Sequence, residues 1–191
     1  MIAREEALDL LGRHVKERNL IQHSLASEAV MRELAGRLDQ DVDIWGLTGL
    51  LHDIDYTETA DDPARHGLIG AEMLAGQLPE EAIQAIRAHN GERNGHRPVA
   101  DLDFALRCGE TVTGLITASA LVRPTGMDGM VPKGLKKKMK DKAFAASVCR
   151  DNIHECERIG LDLTEFLNIA IKGMAAVATD IGLTDRGGAN V

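Results

Sequence analysis

The chain has 191 residues, a length typical of one domain with a single core, and its 44% hydrophobic content argues against a disordered protein. Its net charge of -8 disfavours nonspecific binding to nucleic acid or to an anionic membrane, although a bound metal would still allow a phosphorylated substrate. The three cysteines form no CxxC pair and the N-terminus lacks the layout of a signal peptide, so we expect a cytoplasmic protein without a disulfide framework.

Apolar residues recur at helical spacing and predict four helices in the first half of the chain. The first covers residues 3–18, and the second follows with Asn19 as its N-cap. Residues 43–54 form a short helix that is apolar almost all round, and such a helix is usually buried. The fourth covers residues 61–76, because an acidic cap followed by proline is a typical helix start.

The second half of the chain is also predicted to be helical, and sheet content near zero is expected because no stretch alternates polar and apolar residues. A helix begins at Pro79 and stops near Gly91, and a polar loop then runs to Pro98. Residues 101–122 form a long apolar helix. Three further helices are predicted over 132–139, 141–157 and 163–182. A polar tail at 184–191 follows and is expected to be frayed.

The most informative polar residues are His52 and Asp53, which lie side by side in the apolar segment GLLHDID. An ionised aspartate inside a core costs several kcal/mol unless it is paired or bound to a metal. Neighbouring helical residues point about 100° apart, so one ion can contact both side chains only from the wedge between them. This geometry is feasible for imidazole and carboxylate together and makes the pair a candidate metal site.

Two further metal-capable side chains lie on other predicted helices. His23 is on the apolar face of the second helix, and Glu110 is in a helix whose only other charged residue between 104 and 122 is Arg107. A single histidine on an apolar face is more often a satisfied core residue than a ligand, so the prediction of a metal site rests on the combination. Mixed histidine and carboxylate ligands suit Mn, Fe, Ni, Co or Zn better than Ca.

In this order, a histidine, a His-Asp pair and a later acidic residue, the sequence resembles the HD superfamily of metal-dependent phosphohydrolases, and in particular its HDIG-type bacterial members. The segments GLLHDID, HGLIGAEML and AIRAHN carry the resemblance, and the runs TGLITASALVRP and LKKKMKDKAFAASV indicate only the subfamily. The resemblance implies an all-α, single-domain helical bundle over residues 1–183, with a motif core at 20–122, a C-terminal helical part at 130–183 and a flexible tail at 184–191.

The resemblance also implies the metal ligands, which fall on His23, His52, Asp53 and Glu110. The family usually has aspartate at the last of these positions. Glutamate is one methylene longer, and it can still ligate a metal if its helix lies slightly farther away.

Some HD proteins hold two ions through additional histidines between the His-Asp pair and the distal acidic residue. His66 and His89 lie in this interval and are candidates for a second metal or for a substrate phosphate, with a purely structural role given equal weight. His96, in the polar loop, is a weaker candidate. The number of ions stays open, and so does the divalent metal among Mn, Fe, Ni, Co, Zn and Mg.

The implied activity is hydrolysis of a phosphomonoester or phosphodiester, including that of a nucleotide, by metal-activated water, with His52 and Asp53 as catalytic residues. The alternative is a non-catalytic HD module that binds metal or nucleotide as a regulator, and a third interpretation is a purely structural helical protein. The expected partner is a small phosphorylated substrate. Neither membrane nor nucleic acid is expected as a partner, and a homodimer through the apolar C-terminal helices stays open.

Other polar residues have simpler interpretations. His14 and His154 lie among charged residues and are expected to be solvated. Asp55 could support a metal ligand through a hydrogen bond, but an ordinary carboxylate at a helix end is the preferred interpretation. The run Lys133–Lys142 is expected to be a solvated helix face rather than a nucleic-acid site, because the chain is acidic and no aromatic residue separates these lysines.

Overall fold

The computed structural model describes residues 1–184, and over these residues the chain is helical and has no β-strand. The predicted all-α class is therefore confirmed. The helices are α1, Arg4–His14; α2, Arg18–Arg37; α3, Val42–Leu51; α4, Leu68–Met73; α5, Glu80–His89; α6, Gly91–Asn94; α7, Asp101–Leu121; α8, Pro132–Met139; α9, Arg150–His154; a 3-10 helix, Glu155–Ile159; and α10, Leu163–Ala176.

Helix α2 lies at the centre of the bundle and packs against α3, α7 and α10. Glycines allow two of these helices to reach its backbone. A Cβ on Gly49 of α3 would lie 2.8 Å from the carbonyl oxygen of Ser27, and one on Gly173 of α10 would lie 2.7 Å from that of Ala29. Since a side chain at either position would clash with backbone, these glycines fix α3 and α10 closely against the helix that carries His23.

The buried helix predicted over 43–54 is α3, and Asp41 caps its N-terminus by accepting the N–H groups of Asp43 and Ile44 at 2.9 Å each. The helix ends at Leu51, so His52 and Asp53 lie in the turns that follow it rather than inside it. Their predicted position inside a helix was wrong, because the amides of Ile54 and Tyr56 bond to carbonyls only three residues earlier and so form turns, which lead to a buried carboxylate.

That carboxylate is Asp55, and it also shortens the helix predicted over 61–76 to α4. Its Oδ2 accepts the N–H groups of Gly67 and Gly70 at 2.8 Å each, which satisfies the N-terminal amides of α4 from a distant point in the sequence. Gly67 has φ of 82°, which interrupts any continuous helix through it. His66 therefore lies in a turn before α4, and not inside the helix predicted over 61–76.

Several boundaries agree with the predictions and others do not. Helix α5 begins after Pro79 as predicted, and α7 and α8 match the segments 101–122 and 132–139 closely. Helix α2 begins one residue before the predicted cap, because the carbonyl oxygen of Glu17 accepts the amides of Leu20 and Ile21. The short helix α6 replaces part of the loop predicted after Gly91.

The helix predicted over 141–157 is replaced by turns followed by α9 and the 3-10 helix. The guanidinium of Arg150 causes the difference, because it donates hydrogen bonds to the carbonyl oxygens of Asp141, Phe144, Ala145 and Val148 and so folds this segment around itself. We call residues 141–149 the arginine-centred loop.

The last helix, predicted over 163–182, ends at Ala176. The amide of Leu183 donates to the carbonyl of Ala178 at 2.8 Å, and its own carbonyl accepts the amide of Met127 at 2.9 Å, so the chain turns back onto the segment after α7. The predicted tail lies outside the described residues beyond Thr184. The single-domain organisation stays a prediction, and α10 packs directly on α2, α7 and α8.

Candidate metal centre

Residues from four parts of the chain meet in one place in the bundle. His23 comes from α2, His52 and Asp53 from the turn after α3, and His89 from the last position of α5. His66 reaches the same place from the turn before α4. The sequence separates these side chains by up to 66 positions, so only the packing of α2, α3 and α5 brings them together.

The first pair of histidines is His23 and His52, whose Nε2 atoms lie 3.2 Å apart. The Nδ1–H of His52 donates to the carbonyl oxygen of Gly49 at 2.8 Å. The Nδ1 of His23 lies 2.9 Å from the hydroxyl oxygen of Thr113, whose own proton goes to the carbonyl oxygen of Glu110 at 2.6 Å. Both Nδ1 atoms are therefore donors, and each neutral ring presents the lone pair of its Nε2 to the other.

The second pair is His66 and His89, whose Nε2 atoms lie 3.0 Å apart. The Nδ1–H of His89 donates to the carbonyl oxygen of Ile86 at 2.6 Å, and that of His66 donates to Oδ1 of Asp55 at 2.8 Å. The same argument applies as for the first pair. In the neutral tautomers, two Nε2 lone pairs face each other.

Asp53 lies between the two pairs and faces each with a different oxygen. Its Oδ2 is 3.5 Å from Nε2 of His23 and 3.4 Å from that of His52. Its Oδ1 is 3.1 Å from Nε2 of His66 and 3.5 Å from that of His89. A single carboxylate is thus shared by two histidine pairs.

This arrangement suits two divalent cations. Facing lone pairs at such distances repel unless a proton or a cation lies between them, and the carboxylate beside each pair adds a negative charge. The ligand atoms of His23, His52 and Asp53 all lie within 4.8 Å of one another, and so do those of Asp53, His66 and His89. Imidazole nitrogen and carboxylate oxygen are the ligands that Zn, Mn, Fe, Co and Ni accept.

The protonation of the site follows from burial and from the two aspartates. Burial lowers the pKa of His52 to about 3 and also lowers that of His23, since Asp53 only partly offsets the loss of hydration. Burial by itself would lower the pKa of His66, but the carboxylates of Asp53 and Asp55 outweigh it and raise this pKa to about 9. Burial favours protonated Asp53, yet the surrounding histidines hold its pKa well below the usual range. At neutral pH a proton therefore lies between His66 and His89 and removes the repulsion between their lone pairs. The first pair, His23 and His52, holds no such proton.

Glu110 on α7 lies beside the first pair, with its Oε2 3.8 Å from Nε2 of His23. It belongs to neither group of three whose ligand atoms lie within 4.8 Å of one another. Burial raises the pKa of Glu110 to about 8, with a further contribution from Asp53, and the hydroxyl of Thr111 donates to its Oε1. The carboxyl group is thus close enough to the first pair to serve as a further ligand if an ion were bound there.

Asp55 has a larger role than the sequence indicated. It is fully buried, and its carboxylate accepts hydrogen bonds from His66 and from the backbone of Gly67 and Gly70. The interpretation as an ordinary helix-end carboxylate was wrong, because Asp55 sets the tautomer and orientation of His66. Its place two positions after Asp53, in a segment that is otherwise apolar, was the available signal.

Arg107 was also missed as a residue that supports the site. It is 3% exposed, and its Nη1 donates to the carbonyl oxygens of Ala88 and His89 at 3.3 and 3.1 Å. Its remaining N–H groups bind the carboxylates of Glu92 and Glu155. A lone arginine in an apolar helix was the sequence signal for a buried ion-pair network.

The weaker candidates lie away from this centre. His96 is exposed in the loop before α7, His154 is exposed on α9, and His14 is partly exposed with its Nδ1 3.0 Å from a carboxylate oxygen of Glu58. The lysines of α8 are exposed or partly exposed, in agreement with a solvated helix face. Of the seven histidines, four lie at the metal centre: His23, His52, His66 and His89.

The histidines open into a cleft of about 550 Å³, which we call the main cleft. Its walls come from the turn after α3, from α6 and α7, and from the arginine-centred loop. Side chains able to form hydrogen bonds line it, and Arg93 supplies a guanidinium. Its polar lining includes Tyr56, Arg93, Thr111, Ser147 and Asn152.

Comparison with known proteins gives one family. A family model described as HD domain matches residues 20–130, which is more than half of the chain. No solved structure matches the chain. Within residues 1–184, no helix has both the length and the apolar character that crossing a bilayer requires.

Proposed function

Because the chain belongs to the HD domain family, a superfamily of metal-dependent phosphohydrolases, we propose that it is an enzyme that hydrolyses a phosphate ester with two divalent metal ions. One observation carries the proposal. The carboxylate of Asp53 faces the Nε2 atoms of two histidine pairs, one with each oxygen, at 3.1 to 3.5 Å. Two metals that share a carboxylate are a common arrangement for displacement at phosphorus.

In this proposal one ion is held by His23, His52 and Asp53, with Glu110 as a further ligand, and the other by Asp53, His66 and His89. The hydrogen bonds at the four Nδ1 atoms support it, because they turn the Nε2 lone pairs toward the ions and leave the rings little freedom. Glutamate in place of the usual aspartate is compatible with this role, since Oε2 of Glu110 already lies 3.8 Å from Nε2 of His23.

Divalent ions at such a site activate water as a nucleophile and polarise a phosphoryl oxygen. The residues of the chain do the rest. Asp53 contributes one carboxylate oxygen to each ligand group and so keeps the two groups side by side. It is also placed to orient the attacking water in the main cleft. Ser147 and Asn152 offer a hydroxyl and an amide group to the ester, and Arg93 offers a guanidinium to a phosphoryl oxygen.

The substrate in this proposal is a small phosphorylated molecule, nucleotides included, because the main cleft has room for a molecule of that size. A cytoplasmic location belongs to the same proposal. The free cysteines Cys108, Cys149 and Cys156 agree with a reducing compartment. Homodimer formation stays a prediction.

Elemental analysis and a phosphoesterase assay test the proposal together. The purified protein should carry about two equivalents of a transition metal after incubation with Mn or Co, as a binuclear centre requires. It should then release p-nitrophenol from p-nitrophenyl phosphate or from its diester. His52→Ala should lose hydrolysis and one of the two equivalents of metal, because it removes a ligand from one group only. His154→Ala, a histidine outside the site, should lose neither property. Metal without hydrolysis of any ester would favour the non-catalytic module instead.

A further inference from the structure

A second groove begins at the candidate metal centre. It has a volume of about 740 Å³ and lies along α2 and α7, and residues 181–183 also line it. We call it the second groove. Among the described residues that line the two cavities, only His23 and Gly114 belong to both. The proposed metal ligand His23 therefore stands at the junction of two separate cavities.

The second groove differs chemically from the main cleft. The described residues that line it include no carboxylate, in a chain whose net charge is -8, whereas Asp53, Glu92 and Glu110 line the main cleft. Neutral groups dominate the second groove. Its polar side chains are Arg18, Asn19, Gln22, Thr113 and Thr117, and its apolar wall is Leu121, Ile181 and Leu183.

Most of these polar groups are available to a ligand. Within residues 1–184, the side chains of Asn19, Gln22 and Thr117 hydrogen-bond to no other protein group, whereas Thr113 is engaged with His23. Amides and a hydroxyl beside an aliphatic wall suit an uncharged group that carries hydroxyl or amide functions, such as a sugar or a heterocycle. Arg18 would accept an additional anionic substituent.

From this geometry we infer that the substrate is a phosphodiester, with one ester arm in the main cleft and the other in the second groove. The inference rests on the proposed function and selects between the two ester classes. A phosphomonoester has one organic arm and would use one cavity, whereas a diester at the junction has an arm for each. In the reaction, the oxygen of water forms the new bond to phosphorus and one ester P–O bond breaks. The departing oxygen takes a proton, which leaves a phosphomonoester and an alcohol.

The charge of the cavities agrees with this choice. Arg93 in the main cleft and Arg18 in the second groove are the arginines that line the two cavities, and no lysine does so among the described residues. A diester carries one negative charge and needs fewer cationic partners than a monoester dianion or a polyphosphate. Neutral polar walls on both sides of the centre therefore suit it.

Thr117 provides the test because it lines the second groove and not the main cleft. It lies one helical turn after Thr113 on α7 and is only partly buried. We expect the Mn-loaded protein to hydrolyse bis(p-nitrophenyl) phosphate with a higher kcat/KM than p-nitrophenyl phosphate. Thr117→Trp fills the groove and should lower the ratio of the two kcat/KM values about tenfold or more, as loss of a bound arm does. Asn168→Trp, an exposed position on α10 outside both cavities, should leave both values unchanged.

Two results would overturn the inference. One is efficient hydrolysis of the monoester alone. The other is the same ratio of the two kcat/KM values in Thr117→Trp as in the original protein, when circular dichroism shows that both proteins are folded. If neither ester is hydrolysed, the proposed function has failed, and calorimetric titration of the Mn-loaded protein with each ester decides about the groove separately. The inference about the groove is supported if the original protein binds the diester with a lower Kd than the monoester and Thr117→Trp abolishes this difference. Equal Kd values for the two esters in the original protein would refute it.

Discussion

The guanidinium Nη1 of Arg107 lies 3.1 Å from the backbone carbonyl oxygen of His89 and donates a hydrogen bond to it. The same guanidinium binds Glu155 in the 3-10 helix with its Nε at 2.7 Å. The end of α5, where His89 reaches the metal centre, is thereby fixed to the C-terminal third of the chain. A positive charge at a helix C-terminus is also favourable toward the helix dipole.

Replacement of Arg107 by methionine should therefore destabilise the protein by about 3 kcal/mol, because it leaves the partly buried carboxylate of Glu155 and the carbonyl oxygens of Ala88 and His89 without their partner. Chemical denaturation with and without Mn measures this loss. Arg107→Lys keeps the charge but loses the forked contacts, and an intermediate value is expected. Equal stability of all three proteins would mean that the network contributes nothing.

The two groups of ligands should lose metal separately. His66→Ala or His89→Ala removes a ligand from one group only, so we expect about one equivalent of metal to remain, whereas Asp53→Ala should retain none because both groups use it. Elemental analysis after gel filtration gives the counts. Loss of both ions in His66→Ala would show that the sites are not independent.

Asp55→Asn should weaken the ion held with His66. The amide oxygen can still accept from Nδ1 of His66, but the charge that increases the basicity of the ring is lost, and the amide nitrogen cannot accept from Gly67 and Gly70. Removal of such a supporting group typically costs about 10- to 100-fold in metal affinity. Competition with a fluorescent chelator measures it, and unchanged affinity would contradict the role given to Asp55.

Glu110→Gln tests the carboxylate that stands where the family usually has aspartate. The variant keeps the length of the side chain and removes its charge, so we expect about a tenfold or larger loss in affinity for the ion held by His23 and His52. Glu110→Asp keeps the charge but shortens the reach, and its loss should be smaller. A Glu110→Gln protein with the original affinity would remove Glu110 from the ligand set.

Metal uptake should release protons at neutral pH. In the metal-free protein the pKa of His66 is about 9 and that of Glu110 about 8, so both hold a proton at pH 7 that a ligand must give up. Affinity should rise as the pH rises, by up to about tenfold per unit for each proton displaced, and level off once the pH exceeds both values. Calorimetry in two buffers of different ionisation enthalpy counts the protons. Zero release at pH 7 would contradict these assignments.

The sequence predicted the helical class and the chemistry of the centre. Apolar spacing placed α5, α7 and α8 nearly as they are, because propensity, caps and periodicity are local properties. The adjacent His52 and Asp53 marked the site because charge in an apolar segment requires a partner. The family followed from their order with His23 and Glu110, and the family model agrees.

Only the tertiary structure decided how these residues are grouped. That His23 pairs with His52 and His66 with His89, and that one oxygen of Asp53 faces each pair, depends on how α2, α3 and α5 pack. The same holds where local rules failed. Asp55 binds the amides of Gly67 and Gly70 far along the chain, and α4 begins only after them. Contacts between distant residues set these features, and periodicity along the chain carries no information about them.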